Sequence, residues 1–589
     1  MHWYILWLLA VLVPIGFAGN LLEAAEKPNV VVILTDDQGW GDLSINGNTN
    51  LRTPHLDALA REGAKFENFF VQPVCAPTRA EFLTGRWHPR CGVRGVSTGL
   101  ERLNLDERTI AEAFHAAGYA TACFGKWHNG SQYPYHPKGR GFTEYYGFTS
   151  GHWGEYFNPT LDHNGQEVQG TGYIVDDLTT RAIDFLKKNA TAGRPSFIFL
   201  ALNTPHSPMQ VPDKYWRRFE KAPLKLTGTQ KENLDHTRAA LAMCENIDDN
   251  IGRLRMALRD NHLDEPTIVV YFSDNGPNGP RWNGGLKGHK GSTDEGGVRS
   301  PLHICWPKHI RPGTVVTPIA AAIDLYPTLI ELAGIRRVGD QPFDGISLAP
   351  LLLGHDQKVP DRVLFQHWAG RISARDSRYR LDPIGQLFDM HADPGQTRNI
   401  AETKPEVLKK LTAAVAAWKD DVFRAWSPAD RRPFPVGYPE FPRTVLPARD
   451  GVPHGGVRRS AAAPNCSFFT HWTKPDDRMT WDIDIHTAGR YEAILRYTCP
   501  DADVGATVEL VLGKAQWTAT IRTAHNPPLR GQEHDRVDRG AESYVKDFRP
   551  LSLGVVALPA GKGTLTLRAT KIPGQQVADV QQVELILVK

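Results

Sequence analysis

The sequence has little net charge and, after its first residues, no long apolar run. Over 589 residues its 68 Lys and Arg nearly balance its 65 Asp and Glu, which leaves a net charge of +3. A charge this small gives no reason to expect nucleic acid or an anionic membrane as a partner. No later segment is apolar enough to span a bilayer, so we expect no stable membrane association. The length allows a large core and at least one further domain.

The N-terminal segment is different, because residues 3–22 are apolar and almost uncharged. Gly16-Phe17-Ala18 offers a small-x-small cleavage site, and the pattern predicts a secretory signal peptide over residues 1–25. An uncleaved anchor is the alternative, since the apolar length approaches a membrane span and no Lys or Arg precedes it. No cysteine follows the apolar run, which argues against a lipoprotein. We expect export to the periplasm or the cell exterior.

Cysteines are few and odd in number, at Cys75, Cys91, Cys123, Cys244, Cys305, Cys466 and Cys499. Sequence alone does not give their pairing. Cys466 and Cys499 share the C-terminal segment and are the first pair to test for a disulfide.

Strand-like and helix-like segments alternate through the first 360 residues. Short apolar runs, of which the first is β-branched, predict buried strands at 30–34, 120–124, 196–202 and 267–272. Helical patterns lie between them at 53–63, 107–117, 173–189 and 230–260. This alternation predicts an α/β domain over residues 26–360, with a mostly parallel sheet sandwiched by helices.

The rest of the chain divides into three segments that differ in sequence pattern. Residues 361–426 combine short strands with one helix and predict a small antiparallel C-terminal subdomain. Residues 427–463 are rich in proline, which predicts an extended, semi-rigid linker. In residues 464–589 apolar and polar positions alternate in short runs between turns, which predicts an appended all-β sandwich. The sandwich could bind carbohydrate or act as a structural cap.

Cys75 lies beside an arginine in Cys75-Ala76-Pro77-Thr78-Arg79, at the predicted start of a helix. Positive charge and a helix N-terminus both favour a thiolate. Cys75 is therefore a candidate nucleophile or the precursor of one. Alternatively, it is a buried structural residue or half of a disulfide.

Carboxylates and an amide follow two of the predicted strands, as Asp36-Asp37 and Asp274-Asn275. Open α/β sheets place their sites outside the carboxyl ends of the strands. Oxygen ligands of this kind suit a hard divalent cation, and Ca²⁺ accepts them in flexible geometry. Taken alone, each pair is more typical of a turn former or a helix cap.

The spacing Cys-x-Pro-Thr-Arg-x-x-x-Leu-Thr-Gly-Arg, from Cys75 to Arg86, resembles the modification motif of the type I sulfatases, in the alkaline phosphatase superfamily. Further segments resemble motifs of that family in the same order, namely residues 35–42, 125–128, 204–208, 273–276, 288–292 and 295–299. The resemblance implies that a formylglycine-generating enzyme converts Cys75 to formylglycine. It also implies one Ca²⁺ held by Asp36, Asp37, Cys75, Asp274 and Asn275.

The same resemblance implies roles for the basic residues, since fixed cations and donors stabilise charge on a sulfate ester. Lys290 and His206 hold the sulfate, and one of them protonates the leaving alcohol. Arg79 and Lys126 stabilise the formylglycine hydrate, which attacks sulfur. His128 helps to take the proton from its second hydroxyl, so that the intermediate collapses without attack by water.

The substrate is the least determined feature of the sequence. The insert at residues 151–172 is rich in aromatic and polar groups, and Arg281-Trp282 adds an aromatic–cation pair. Such residues suit sugar rings and extra sulfates, but they also occur in ordinary loop packing. We expect a sulfated carbohydrate rather than a small aryl sulfate. The alternatives are a phosphoester or phosphonate hydrolase of the same superfamily and a non-catalytic glycan-binding protein.

Overall fold

The computed structural model of the chain describes residues 27–588 with four short gaps, at 228–231, 356–358, 425 and 428. The predicted signal peptide, residues 1–25, lies outside the described residues. Within the described part of the chain, every helix is too short or too polar to cross a membrane.

Twelve strands lie in the described chain up to residue 321: β1 (Asn29–Asp36), β2 (Ala64–Phe66), β3 (Phe69–Phe70), β4 (Ala120–Lys126), β5 (Glu144–Phe148), β6 (Thr160–His163), β7 (Gln166–Gln169), β8 (Ser196–Pro205), β9 (Thr267–Ser273), β10 (Leu302–Cys305), β11 (Thr314–Val316) and β12 (Ala320–Ala321). Ten of them form one sheet in the order β11-β2-β10-β9-β1-β8-β4-β5-β6-β7, and β3 pairs with β12. The central strands β9, β1, β8, β4 and β5 are parallel.

The helices of this region are α1 (Pro54–Glu62), α2 (Cys75–Thr84), α3 (Ile110–Ala116), α4 (Ile174–Thr191), α5 (Asp213–Phe219), α6 (Leu234–Asp260), α7 (Glu295–Val298), α8 (Leu325–Leu332) and α9 (Ala349–Leu352). Single 3₁₀ turns occur at Ser44–Asn46, Pro137–Gly139, Ala322–Asp324, Ala401–Thr403, Asp501–Asp503 and Gln532–His534.

Helices cover both faces of the sheet. On β1, Val31 and Ile33 pack into a core with α4 and α6, whereas Val30, Val32 and Leu34 pack into a second core with α3 and α8. Burial on both faces explains why this strand is a continuous apolar run rather than an alternating one. The predicted α/β architecture is confirmed.

A small antiparallel sheet follows, with β13 (Leu364–Trp368), β14 (Arg371–Arg375), β15 (Tyr379–Leu381) and β16 (Leu387–Asp389). The helix α10 (Pro405–Val422) packs on it. Trp418 of α10 stacks on Phe365 with ring centroids 4.9 Å apart and meets Trp87 edge-on at 5.7 Å. These aromatic contacts attach the small sheet to the segment that follows α2.

The C-terminal strands are β17 (Phe434–Val436), β18 (Arg443–Pro447), β19 (Val452–His454), β20 (Arg458–Arg459), β21 (Phe469–Thr470), β22 (Arg478–Ile485), β23 (Gly489–Thr498), β24 (Thr507–Leu512), β25 (Ala515–Thr520), β26 (Arg549–Leu558), β27 (Gly561–Lys571) and β28 (Asp579–Val588). They form two six-stranded sheets. The core between them contains Trp472, Trp481 and Trp517, each almost fully buried. The predicted β sandwich is confirmed.

The prediction of a linker over residues 427–463 is wrong, because this stretch supplies β17 to β20 of the sandwich. Phe434, Val436 and Leu446 are buried in its core. β17, β18 and β19 each pair with a single neighbouring strand. Proline lacks a backbone N–H and is tolerated on strands that pair on one side only. The prolines of this stretch are therefore compatible with strands.

Cys466 and Cys499, the first pair to test for a disulfide, are not bonded to each other, since all seven cysteines are free thiols. Cys499 is buried in the sandwich core. The Sγ of Cys466 instead lies 3.2 Å from the backbone carbonyl of His152, in the catalytic domain.

Candidate active site

The metal-binding candidates lie at the ends of two adjacent parallel strands. β1 ends at Asp36 and β9 at Ser273, and Thr35 pairs in register with Ser273. The segments Asp36-Asp37 and Asp274-Asn275 therefore leave the sheet side by side. Asp37 has a φ of +64°, a left-handed conformation that is uncommon for residues other than glycine and concentrates at functional sites.

The four polar side chains at this edge meet in a fully buried cluster. The Asn275 Nδ2 donates to Asp37 Oδ1 at 2.8 Å, and the Asp37 backbone N–H donates to Asp274 Oδ1 at 3.2 Å. Among the described residues, Asp36 Oδ1 and Asn275 Oδ1 have no hydrogen-bond partner. Buried oxygens without a partner are costly, and a cation is one group that satisfies them. The cluster fits the predicted hard divalent ion.

Cys75 joins this cluster as the first residue of α2. Its Sγ and carboxylate oxygens of Asp36 and Asp274 lie within 4.8 Å of one another. Burial raises the pKa of the Cys75 thiol, although Lys126 and Lys290 act in the opposite direction. The neighbouring positive charge thus favours a thiolate, as expected, but desolvation acts more strongly in the opposite direction.

Two buried cations, Arg79 and Lys126, pair with carboxylates of this cluster. Arg79 lies one turn after Cys75, and its Nε and Nη2 donate to Asp274 Oδ2 at 3.1 and 2.9 Å. Its Nη1 donates to the backbone carbonyl of Lys126 at 2.7 Å. The Lys126 Nζ donates to Asp36 Oδ2 at 2.5 Å. Because none of these side chains is exposed, the pairs are stiff as well as charged.

Lys290 and His206 approach Asp37 from the open side. The Lys290 Nζ lies 2.8 Å and the His206 Nε2 3.6 Å from Asp37 Oδ2. Burial alone would raise the pKa of Asp37, but Lys290, His206 and Lys126 together hold it below its ordinary value. The Lys290 side chain remains 22 % exposed, so this cation can meet a ligand from solvent.

His206 follows the end of β8 and is held by backbone carbonyls. Its Nδ1 lies 2.7 Å from the Ser207 carbonyl, and the Tyr156 hydroxyl donates to the carbonyls of both His206 and Ser207. Burial, and then Lys290, lower the pKa of His206 to about 4. Tyr156 belongs to the aromatic insert, and its contact with this loop had no sequence signal.

His128, which follows β4, presents a free ring nitrogen. Its Nε2 lies 2.8 Å from the Val96 carbonyl, so Nε2 carries the proton. Its Nδ1 is buried without a partner among the described residues. Burial lowers the pKa of His128 well below its ordinary value. This histidine therefore offers a neutral acceptor at Nδ1, and its φ of +64° again marks a constrained backbone.

Arg281, which the sequence suggests as a sugar contact, has a different position. The Arg281 side chain is only 2 % exposed. Its Nη2 donates to Asp42 Oδ2 at 2.6 Å and to the Asp37 carbonyl at 2.8 Å. Arg281 thus supports the loop after β1. Asp42 is the last residue of the motif at residues 35–42. Its place in that motif was a sequence feature from which the Asp42–Arg281 pair could have been predicted.

The C-terminal sandwich also reaches the site. The Gly151 backbone N–H donates to Asn465 Oδ1 at 3.3 Å, and the Ser207 hydroxyl donates to Glu542 Oε1 at 2.5 Å. These partners are more than three hundred residues apart in sequence, and sequence patterning did not connect them. The site therefore combines buried oxygens for a cation, a residue at a helix N-terminus, and cations and donors that face an incoming anion.

Comparisons with known proteins agree with this geometry. The sulfatase family model matches residues 28–335, and the model described as N-sulphoglucosamine sulphohydrolase, C-terminal, matches residues 290–420. N-acetylgalactosamine-6-sulfatase of Canis lupus familiaris is 32% identical over 387 residues, covering 60% of this chain and 70% of the relative. Human arylsulfatase A is 31% identical over 489 residues, covering 69% and 93%.

Among solved structures, Ps i-CgsB in complex with k-i-k-neocarrahexaose matches with a TM-score of 0.61 and 30% identity. The match covers 67% of this chain and 92% of that chain. The family match spans more than half of the chain and includes both strand ends that are candidates for metal binding, together with Cys75 and Lys290. The chain therefore belongs to the sulfatase family, in the alkaline phosphatase superfamily, and is a sulfuric ester hydrolase.

Proposed function

We propose that the chain is an exported sulfatase that hydrolyses sulfate monoesters on a sulfated carbohydrate, with formylglycine at position 75. The observation that carries the proposal is the position of Cys75 at the N-terminus of α2, within 4.8 Å of carboxylate oxygens of Asp36 and Asp274. Formylglycine would supply a hydroxyl nucleophile there as its hydrate. A buried thiol with a raised pKa is a weak nucleophile by comparison.

We propose that one Ca²⁺ is held by Asp36, Asp37, Asp274, Asn275 and residue 75. The donor set supports this choice, since it consists of carboxylate and amide oxygens, two of which have no partner among the described residues. When bound, the ion would polarise the sulfate oxygens.

The surrounding residues would have separate roles in substrate binding and in proton transfer. Lys290 and His206 bind the sulfate group, and one of them protonates the leaving alcohol. Asp274, which lies beside position 75, accepts the proton of the attacking hydroxyl. His128 accepts a proton at Nδ1, which the Val96 carbonyl leaves free. Arg79 and Lys126 fix the carboxylates beside position 75.

The substrate class is supported by the names of similar proteins. The relatives include N-acetylgalactosamine-6-sulfatases, and Ps i-CgsB is described in complex with a neocarrahexaose. We infer that the leaving group is a sugar. Which sugar, and which of its hydroxyls, would be decided with a panel that includes N-acetylgalactosamine 6-sulfate and carrageenan oligosaccharides.

The test uses protein produced together with a formylglycine-generating enzyme, the proposed maturation partner. We expect hydrolysis of 4-nitrophenyl sulfate and of at least one sulfated sugar, and complete loss of both in Cys75→Ala. Turnover confined to 4-nitrophenyl phosphate or a phenyl phosphonate would favour the rival phosphoester or phosphonate hydrolase. Binding of sulfated sugar without turnover would favour a glycan-binding protein.

Export is proposed from the N-terminal apolar segment alone. N-terminal sequencing of protein recovered outside the cytoplasm should give a mature chain that begins close to residue 26. A chain that retains its first residues in the membrane fraction would support the uncleaved anchor instead.

A further inference from the structure

His152 is a third buried histidine beside the sulfate site, and nothing in the roles above uses it. It is 4 % exposed, and its ring stacks on that of His206 with centroids 5.8 Å apart and an interplanar angle of 20°. Lys126 and Lys290 also lie close enough to act on its charge. The His152 ring is therefore a direct neighbour of His206, which is proposed to bind the sulfate group.

Asn465 of the C-terminal sandwich contacts this histidine and determines its tautomer. The Gly151 backbone N–H donates to Asn465 Oδ1 at 3.3 Å, which orients the amide group. The Asn465 Nδ2 then lies 3.4 Å from His152 Nδ1. An amide nitrogen only donates, so His152 Nδ1 must accept, and the ring proton must be on Nε2.

The protonated Nε2 of His152 has no hydrogen-bond partner among the described residues and is buried. Burial, and then His206 and Lys126, lower the pKa of His152 well below its ordinary value, so the ring is neutral with a single N–H. A buried donor without a partner is energetically unfavourable, because it has lost its hydrogen bonds to water. An acceptor that arrives with the substrate would remove this cost.

The backbone of His152 is fixed from both domains. The Ser150 hydroxyl and the Cys466 thiol both donate to the His152 carbonyl, at 2.6 and 3.2 Å. Gly151 passes so close to the site that a Cβ there would lie 2.6 Å from both His128 Nε2 and Asn465 Nδ2. The segment that carries His152 thus lies between His128 and His206. The sandwich fixes this segment through Cys466 and Asn465.

We propose that His152 is a substrate-binding residue whose Nε2–H donates to an oxygen of the sulfate ester, and that Asn465 is its positioning residue. The inference rests on the proposed function and deepens it. The C-terminal sandwich would then take part in recognition at the sulfatase site, although it lies outside both family matches.

The first test is the near-isosteric variant Asn465→Asp, assayed with 4-nitrophenyl sulfate. A carboxylate can only accept, so His152 would move its proton to Nδ1 and turn a lone pair toward the anionic substrate. We expect kcat/KM to fall about tenfold or more, mainly through a higher KM.

Two further variants serve as controls. Asn399→Asp, at an exposed position in the small antiparallel subdomain, controls for the added charge. Asn465→Ala removes both hydrogen bonds without adding charge. An unchanged KM in Asn465→Asp would overturn the proposal.

The second test separates the tautomer from charge and from structure. Gln at position 152 keeps an N–H donor of similar reach but has no tautomers. In the His152→Gln background we therefore expect Asn465→Asp to lower kcat/KM less than about threefold. An equal loss in both backgrounds would show that Asn465 acts only by charge or packing, and would overturn its positioning role.

The third test reads the tautomer without turnover. In ¹⁵N-histidine-labelled protein, with His152 assigned by its absence in His152→Gln, we expect a protonated Nε2 in the wild type and a protonated Nδ1 in Asn465→Asp. A protonated Nδ1 in the wild type would overturn the inference. Wild-type protein that hydrolyses no sulfate ester would count against the proposed function, and the spectrum would still decide the role of Asn465.

Discussion

At the scale of single residues, each carboxylate of the site has its own cation. Lys126 pairs with Asp36, Lys290 with Asp37 and Arg79 with Asp274. The Lys126–Asp36 and Arg79–Asp274 pairs are fully buried, whereas the Lys290 side chain is partly exposed. Removing one partner of a buried pair leaves an uncompensated charge, and the cost is far larger than for a surface pair.

Arg79→Met is the residue-scale test of this pairing. In the presence of a chelator, we expect the free energy of unfolding to fall by about 3–5 kcal/mol, because Asp274 loses its buried partner. Urea denaturation measures the change. Arg378→Met, which breaks an exposed pair with Asp389, should leave the midpoint unchanged, and equal effects of the two variants would contradict the account.

His128→Gln tests the free ring nitrogen as a base. Gln can still donate to the Val96 carbonyl but offers no basic nitrogen, so we expect kcat to fall about 10²–10⁴-fold with little loss of stability. His303→Gln alters a buried histidine outside the site and should retain activity. A fully active His128→Gln enzyme would remove His128 from the proposed mechanism.

At the scale of elements, the site depends on how closely the strands approach one another. Gly125, next to Lys126 in β4, has a φ of +112°, and a Cβ there would lie 2.0 Å from the Ala201 carbonyl oxygen of β8. Gly125 pairs in register with Ala201 at this point of close approach. The next residue, Lys126, pairs with Asp36.

Gly125→Ala should therefore destabilise the protein more than a glycine change that adds only backbone strain. Gly118 also has a positive φ, of +91°, but open space where a Cβ would lie. We expect Gly118→Ala to cost about 1 kcal/mol and Gly125→Ala about 1–3 kcal/mol more. Unfolding midpoints in urea make the comparison. Equal costs would show that the β4–β8 contact is not tight.

Sequence patterning predicted those elements whose local signal matches their environment. The apolar run of β1 and the polar residues after it indicated a buried strand that ends at a site, and the structure has both. The prolines between residues 427 and 463 gave the wrong answer, because the local pattern does not reveal that β17, β18 and β19 each pair on one side only. The sequence also did not reveal how deeply Cys75 is buried, and this burial raises the pKa of its thiol despite the nearby lysines.

At the scale of the whole molecule, the catalytic domain and the C-terminal sandwich share the site. Asn465 and Glu542 contact Gly151 and Ser207 across the two domains. Contacts between residues this far apart depend on how domains pack, and no motif or periodicity in a single sequence encodes them. The sequence therefore indicated which residues meet at the strand ends, but not the contacts that the sandwich makes beside them.

Cation binding should stabilise the whole molecule. A ligand that binds only the folded state adds about 2.7 kcal/mol at a concentration about a hundred times its Kd, so we expect Ca²⁺ to raise Tm and a chelator to lower it. Asp37→Asn should abolish the shift. Asp249→Asn alters a second candidate cluster, with His55 and Asp248, and should preserve the shift; loss of the shift in Asp249→Asn alone would place the ion elsewhere.

The most direct test of the central claim is the chemical state of residue 75 in the active enzyme. Peptide mapping by mass spectrometry should find formylglycine in place of Cys75, in a fraction of the protein that rises in proportion to the specific activity on a sulfate ester. Fully active protein with an unmodified thiol at position 75 would contradict the account.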